Sequence, residues 1–222
     1  MRFTPWTALF GITLLTGCSQ EFPQEPWSKS DMEYLQSLEG EQDFDSRLEI
    51  ARQNFTHNYI DEANALLSEL VTENPDDMET KAWYAANNCK IAGRKGPWLM
   101  GLDKLSGVWA CLTDIQRASE TAPDNFTVQL IQINTYAEVD MFGSRDKATG
   151  SLEKLLAKIE KQSDLYAPSA QVAAYETAVR LEALKSTDPQ QSRIYLKRII
   201  QLNADPQSVD RANKTLAKLS KK

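Results

Sequence analysis

A single histidine, His57, stands in the 222-residue chain, so no chemistry that needs two imidazoles can be built from it. Cysteine is almost as scarce, with three residues, which excludes a small domain held together by a dense disulfide framework. No apolar run reaches the length of about 18 residues that a spanning helix needs, and a multi-pass membrane protein is thereby excluded. Positive charge is in deficit: the formal net charge is −6 and the sequence pI about 5.0. That is the wrong sign for a general nucleic-acid binder, whose affinity rests on neutralising phosphates. The patterns HExxH, CxxC, GxGxxG, GxSxG and the P-loop are all missing, so no metal, cofactor or nucleophile is indicated. What remains is 41% hydrophobic and 25% charged residues, the balance of an ordinary globular fold of one domain, or two at most.

The N-terminus carries an address. Arg2 precedes an apolar stretch from Trp6 to Leu15, which ends in small residues. That is the anatomy of a secretory signal and too short to span a bilayer. Leu15-Thr16-Gly17-Cys18 resembles the bacterial lipobox, in which the signal is removed before the cysteine and the thiol carries diacylglycerol. The resemblance implies a mature Cys18 with three acyl chains, enough for lasting attachment where one chain is marginal. Ser19 follows where an aspartate would favour inner-membrane retention, so the expected location is the periplasmic face of the outer membrane. Residues 1–17 are then the signal peptide and 18–30 a lipidated tether. Within the tether, two prolines and little apolar periodicity predict flexibility. The domain occupies 31–222.

Beyond the tether the apolar residues recur at three- and four-residue spacing, as in amphipathic helices. Leu66, Leu67, Leu70 and Val71 form one stripe, Leu152, Leu155, Leu156 and Ile159 a second, and Leu196, Ile199, Ile200 and Leu202 a third. The stripes are separated by Asn74-Pro75-Asp76-Asp77, Ala122-Pro123-Asp124-Asn125, Thr187-Asp188-Pro189 and Ala204-Asp205-Pro206. Each break sets a proline beside an Asp or Asn able to cap the next helix. Acidic pairs such as Asp76-Asp77 are accounted for by the helix dipole. The fold class is all-α.

Residues 44–77 resemble one tetratricopeptide (TPR) repeat. Ile50-Ala51 takes the Leu-Gly position, Ala63 the small packing position, Leu67 the aromatic slot and Pro75 the end of the unit. Arg47 and Asn54 depart from the family's Trp and Tyr. Cys111, Ile115 and Pro123 repeat the spacing of Ala63, Leu67 and Pro75, and Ala148/Leu152 and Ser192/Leu196 repeat its first part. Helices are expected near 78–92 and 102–121, 125–141 and 145–161, 168–185 and 189–203. The resemblance implies a TPR-like right-handed α-solenoid of about four helix pairs, closed by a capping helix near 207–219.

In such a solenoid the first helix of each pair lines a concave groove. By the repeat register, Arg52, Trp83, Asn87, Lys90, Ile131, Thr135 and Glu138 are the candidates to face it. The expected function is that of a non-enzymatic adaptor, which binds a periplasmic protein or peptide from a lipid-anchored position, with no cofactor and no nucleic-acid partner. A second expectation comes from a looser resemblance to the helical TPR-like lipoproteins associated with TRAP-type solute uptake. It requires an enclosed apolar pocket lined by Trp83, Trp109 and Phe142. Cys89 and Cys111 fall in the second unit, on antiparallel helices, and are either bridged or two buried small residues. His57, at the turn of the first repeat, reads as a polar surface residue. The basic, aromatic loop Arg94-Lys95-Gly96-Pro97-Trp98-Leu99-Met100 either covers the helix pair it joins or touches a partner or lipid headgroups.

Overall fold

The computed structural model describes residues 21–96, 101–185 and 189–220. Among them are ten α-helices and no strand: α1 (Lys29–Glu39), α2 (Phe44–Thr56), α3 (Ile60–Glu73), α4 (Met78–Arg94), α5 (Leu102–Thr121), α6 (Phe126–Val139), α7 (Ser144–Lys161), α8 (Pro168–Lys185), α9 (Pro189–Leu202) and α10 (Pro206–Leu219). The starts are set chemically. Asp43, Asp77, Asn125 and Asp205 each accept a hydrogen bond from the backbone N–H three residues on, at 2.7–3.0 Å. The loss of such a cap costs about 1 kcal/mol. Gly101 and Gly143 instead open α5 and α7 from left-handed backbone, at φ 80° and 71°, a conformation glycine adopts without strain.

The helices pack as pairs: α2 with α3, α4 with α5, α6 with α7, and α8 with α9, while α10 closes the end against α9. Each second helix also rests on the first helix of the next pair, and α2, α4, α6 and α8 touch in sequence as an inner layer. The architecture is an α-solenoid of TPR-like pairs. The slots repeated in the sequence are where the pairs close: Ala63/Leu67, Cys111/Ile115, Ala148/Leu152 and Ser192/Leu196 are all buried. A main core runs from Ala82 to Ala212. The first pair has its own small cluster, Leu48, Ala51, Ala63, Leu67 and Leu70, joined to the main core through Phe55 and Trp83.

Cys89 and Cys111 form a disulfide between α4 and α5, with Cα atoms 5.4 Å apart. The unequal distances of the two cysteines from the connecting loop are absorbed by an overhang. Gly107 sits opposite Ala92, where a Cβ on the glycine would lie 2.9 Å from that of Ala92. The first turn of α5 therefore projects past the end of α4, which leaves Leu102 and Leu105 exposed.

Two features depart from expectation. An extra helix, α1, precedes the first repeat, opened by a capping box between Ser28 and Asp31 and burying none of its residues. The described part of the expected tether, 21–28, is docked rather than free. The Glu25 N–H donates to the His57 carbonyl at 2.9 Å, and Asn58 Nδ2 donates to the Pro23 carbonyl at 2.9 Å. The Trp27 ring lies 4.0 Å from that of His57 and stacks on Tyr59 at 5.0 Å.

Candidate functional site

The inner layer is the surface on which the sequence places a ligand, and the structure sorts its seven candidates into three groups. Arg52 and Trp83 come together where α2 meets α4. The guanidinium carbon of Arg52 stands 5.5 Å from the Trp83 ring centroid, and Phe55 meets that ring edge-on at 5.2 Å. Arg52 Nη1 reaches Glu49 at 3.0 Å and Glu79 at 3.9 Å. Burial raises the Glu79 carboxyl above the usual carboxylate range, opposed first by Arg52 and then by the neighbouring Trp83 indole. Arg52 Nε and Trp83 Nε1 are nonetheless sheltered from water without an aligned acceptor. Buried donors left so are costly, by about 1–3 kcal/mol each.

Thr135 and Glu138, on α6, are half-buried and exposed respectively. Glu138 pairs with Arg180 of α8 at 3.7 Å. One turn earlier, Asn134 Nδ2 donates to Thr177 Oγ1 at 3.2 Å and ties the same two helices.

Asn87, Lys90 and Ile131 are structural instead, a correction to the groove assignment. Asn87 is wholly buried and donates through Nδ2 to the Ile60 carbonyl at 3.0 Å, which fixes the start of α3. Lys90 Nζ donates to the Phe55 carbonyl and to Asn58 Oδ1, both at 2.7 Å, and lies 3.8 Å from the Phe55 ring centroid. Burial pushes its pKa down to about 8, against the raising influence of Glu25, with a lowering one from Arg180 and a raising one from Glu138. Ile131 belongs to the main core. The spacing 83, 87, 90 marks one face of α4, but α2, α3, α5 and α6 all pack on that helix, so the face is divided among neighbours.

The aromatic trio proposed for an enclosed pocket is split. Trp109 and Phe142 meet edge-on at 5.4 Å on the outer side of α5, 61% and 51% exposed. They line an open cleft of about 400 Å³ with Met141, Arg117 and Lys147. Trp83 is not among its walls. Phe142 sits at φ 55°, a conformation uncommon for a bulky residue. A second cleft, of about 510 Å³ between Tyr166, Gln171 and Arg198, lies where α7 turns into α8. His57 is half-covered by Trp27, with Nδ1 3.2 Å from the Glu25 carbonyl oxygen. Arg94 is held by Asp61 at 2.6 and 3.1 Å, while Pro97–Met100, like Cys18, lie outside the described residues. Among the described residues no helix is long and apolar enough to cross a membrane. None of their His, Cys, Asp and Glu side chains are grouped so as to hold a metal ion.

Comparison with known proteins supports the fold. No protein-family model matches the chain, and no curated protein matches it. A solved structure does: a thermophilic TPR protein of Thermus thermophilus, at 18% identity and a TM-score of 0.57, covering 84% of this chain and 88% of that one. At that identity the likeness extends to the fold alone, and it is the fold the packing of α2 to α9 describes.

Proposed function

We propose that this chain is a non-enzymatic binding protein of the bacterial envelope, anchored through Cys18 at the periplasmic face of the outer membrane, whose inner layer holds an extended segment of a partner protein. The observation that carries the reading is the cluster of Arg52, Phe55 and Trp83 where α2 meets α4, on the layer that solenoids of this class use for binding. An extended peptide brings carbonyl oxygens at regular intervals, and the flanking Glu49, Glu79 and Glu138 favour a segment that also carries basic side chains. The lipobox-like Leu15-Thr16-Gly17-Cys18 supports the anchor.

Photocrosslinking from the inner layer in intact cells, followed by identification of the adduct, tests the binding. A defined protein adduct that is lost in Arg52→Ala/Trp83→Ala is expected, whereas an unchanged adduct in that variant would move the site elsewhere. The anchor has its own test: Cys18→Ser should abolish palmitate labelling, and continued labelling would overturn the lipobox reading.

A further inference from the structure

Antiparallel pairing brings the C-terminal end of each first helix and the N-terminal end of its partner to one edge of the solenoid. Asn58, at the end of α2, accepts from Lys90 near the end of α4. Glu138 and Arg180, late in α6 and α8, pair at 3.7 Å toward the same edge. The docked chain 22–27 lies at this edge, against His57, Asn58 and Tyr59, with the Phe22 ring 5.9 Å from Lys90 Nζ. The exposed apolar residues of α5 gather there too. Leu102, Leu105 and Trp109 follow i, i+3, i+7 spacing and so share one helix face, and Phe142 in the α6–α7 turn completes the patch. Lys95 and Lys147 flank it, exposed.

We infer that this edge lies on the lipid surface into which Cys18 is anchored, with chain 22–27 as a strap that holds it there and Trp109 and Phe142 seated among the headgroups. The inference rests on the anchor proposed above. Chain length decides it. Phe22 follows Cys18 by four residues, a reach of roughly 14 Å at full extension. A free tether over 19–30 would allow about 40 Å. With the strap docked, the domain cannot stand off from the membrane, and the edge next to the anchor is the one that carries the exposed aromatics. Trp is suited to such a position because it presents an apolar body with a polar N–H. Lys95 and Lys147 beside it add attraction to anionic headgroups. The helices then stand upright on the bilayer, and the inner layer opens sideways into the periplasm.

The test uses the full acylated protein in phosphatidylethanolamine/phosphatidylglycerol vesicles that carry an energy-transfer acceptor on the headgroups. A donor dye is placed at Lys147→Cys, at the proposed contact edge, or at Asp164→Cys, just beyond the opposite end of α7. That helix has 18 residues and is about 27 Å long. Several-fold stronger transfer from position 147 than from 164 is expected. Trp27→Ala should let the two converge by freeing the strap, and Trp109→Ser/Phe142→Ser should do so by removing the patch. Both sets of side chains lie at the surface, and thermal melts followed by circular dichroism verify that the variants fold. Equal transfer from 147 and 164 in acylated protein overturns the inference and leaves the anchor intact. A difference that persists in Trp27→Ala overturns the role of the strap. A mass spectrum without acyl chains on Cys18 overturns anchor and inference together.

Discussion

The first and second helix pairs close on the same four-residue spacing, Ala63/Leu67 and Cys111/Ile115, yet they are held in different ways. The α4/α5 pair is stapled covalently by Cys89–Cys111, and its helices approach closely at Ala92 and Gly107. The α2/α3 pair has no such staple. It has five buried apolar side chains of its own, and it is fastened to α4 by side-chain bonds to main-chain carbonyls, from Asn87 to Ile60 and from Lys90 to Phe55. A repeat motif fixes where helices touch, and leaves open whether the contact is secured by packing, by polar bonds or by a covalent link.

The largest effect is expected in the first pair. Ala63 is fully buried, and overpacking a core position costs about 1–3 kcal/mol, so Ala63→Trp should destabilise the domain by at least the upper part of that range in denaturant melts. A wild-type midpoint would mean that α2 and α3 do not close there. Next comes the staple. The cysteines are 22 residues apart, and a loop of that size is worth about 3 kcal/mol on the chain-entropy argument. Reduction of the soluble domain should lower the melting temperature and release two thiols, whereas thiols that titrate before reduction would exclude the bridge. Asn87→Ala should cost about 1–2 kcal/mol, because it removes the buried side-chain donor to the Ile60 carbonyl and leaves a small void. An effect confined to binding, with stability unchanged, would return Asn87 to the groove.

The last effect is a matter of pH. The Lys90 pKa falls from 10.5 unfolded to about 8 folded, so between those values the unfolded chain holds the proton that the folded chain has released. Stability then rises with pH across that window and is insensitive to this group below about 8. Lys90→Met should remove that rise, so the wild type gains on the variant as pH climbs from 8 to 10. A parallel pair of stability curves would contradict the burial of the ammonium.

Much of the architecture is readable from the sequence because helix closure makes a simple demand: a small residue and, four positions on, a larger apolar one, followed by a cap. Asp77, Asn125 and Asp205 supply those caps where the breaks predict them. The groove is less readable. Periodicity gives the faces of α4 and α6 but not which neighbour covers each, and Asn87 and Ile131 fall under neighbours. Glu49, Glu79 and Arg180 escape notice because a charged residue on a helix looks solvated until its partner on another helix is known. Chain 21–28 is polar and proline-bearing and so looks like a linker. Phe22 and Trp27 were the available signal, since a free tether has no use for two large aromatic rings.

The disulfide also sets a mechanical limit. Tension applied to the chain ahead of residue 22 would enter the domain at its N-terminal end. It loads the strap and then the joint at Phe55 and Trp83 before it reaches the main core. Peeling can proceed through α1, α2 and α3 and into α4, but at Cys89 the force passes directly to Cys111 and bypasses the loop between them. The first pair is thus the extensible part of the molecule, and the staple in the second keeps residues 90–110 out of any extended chain.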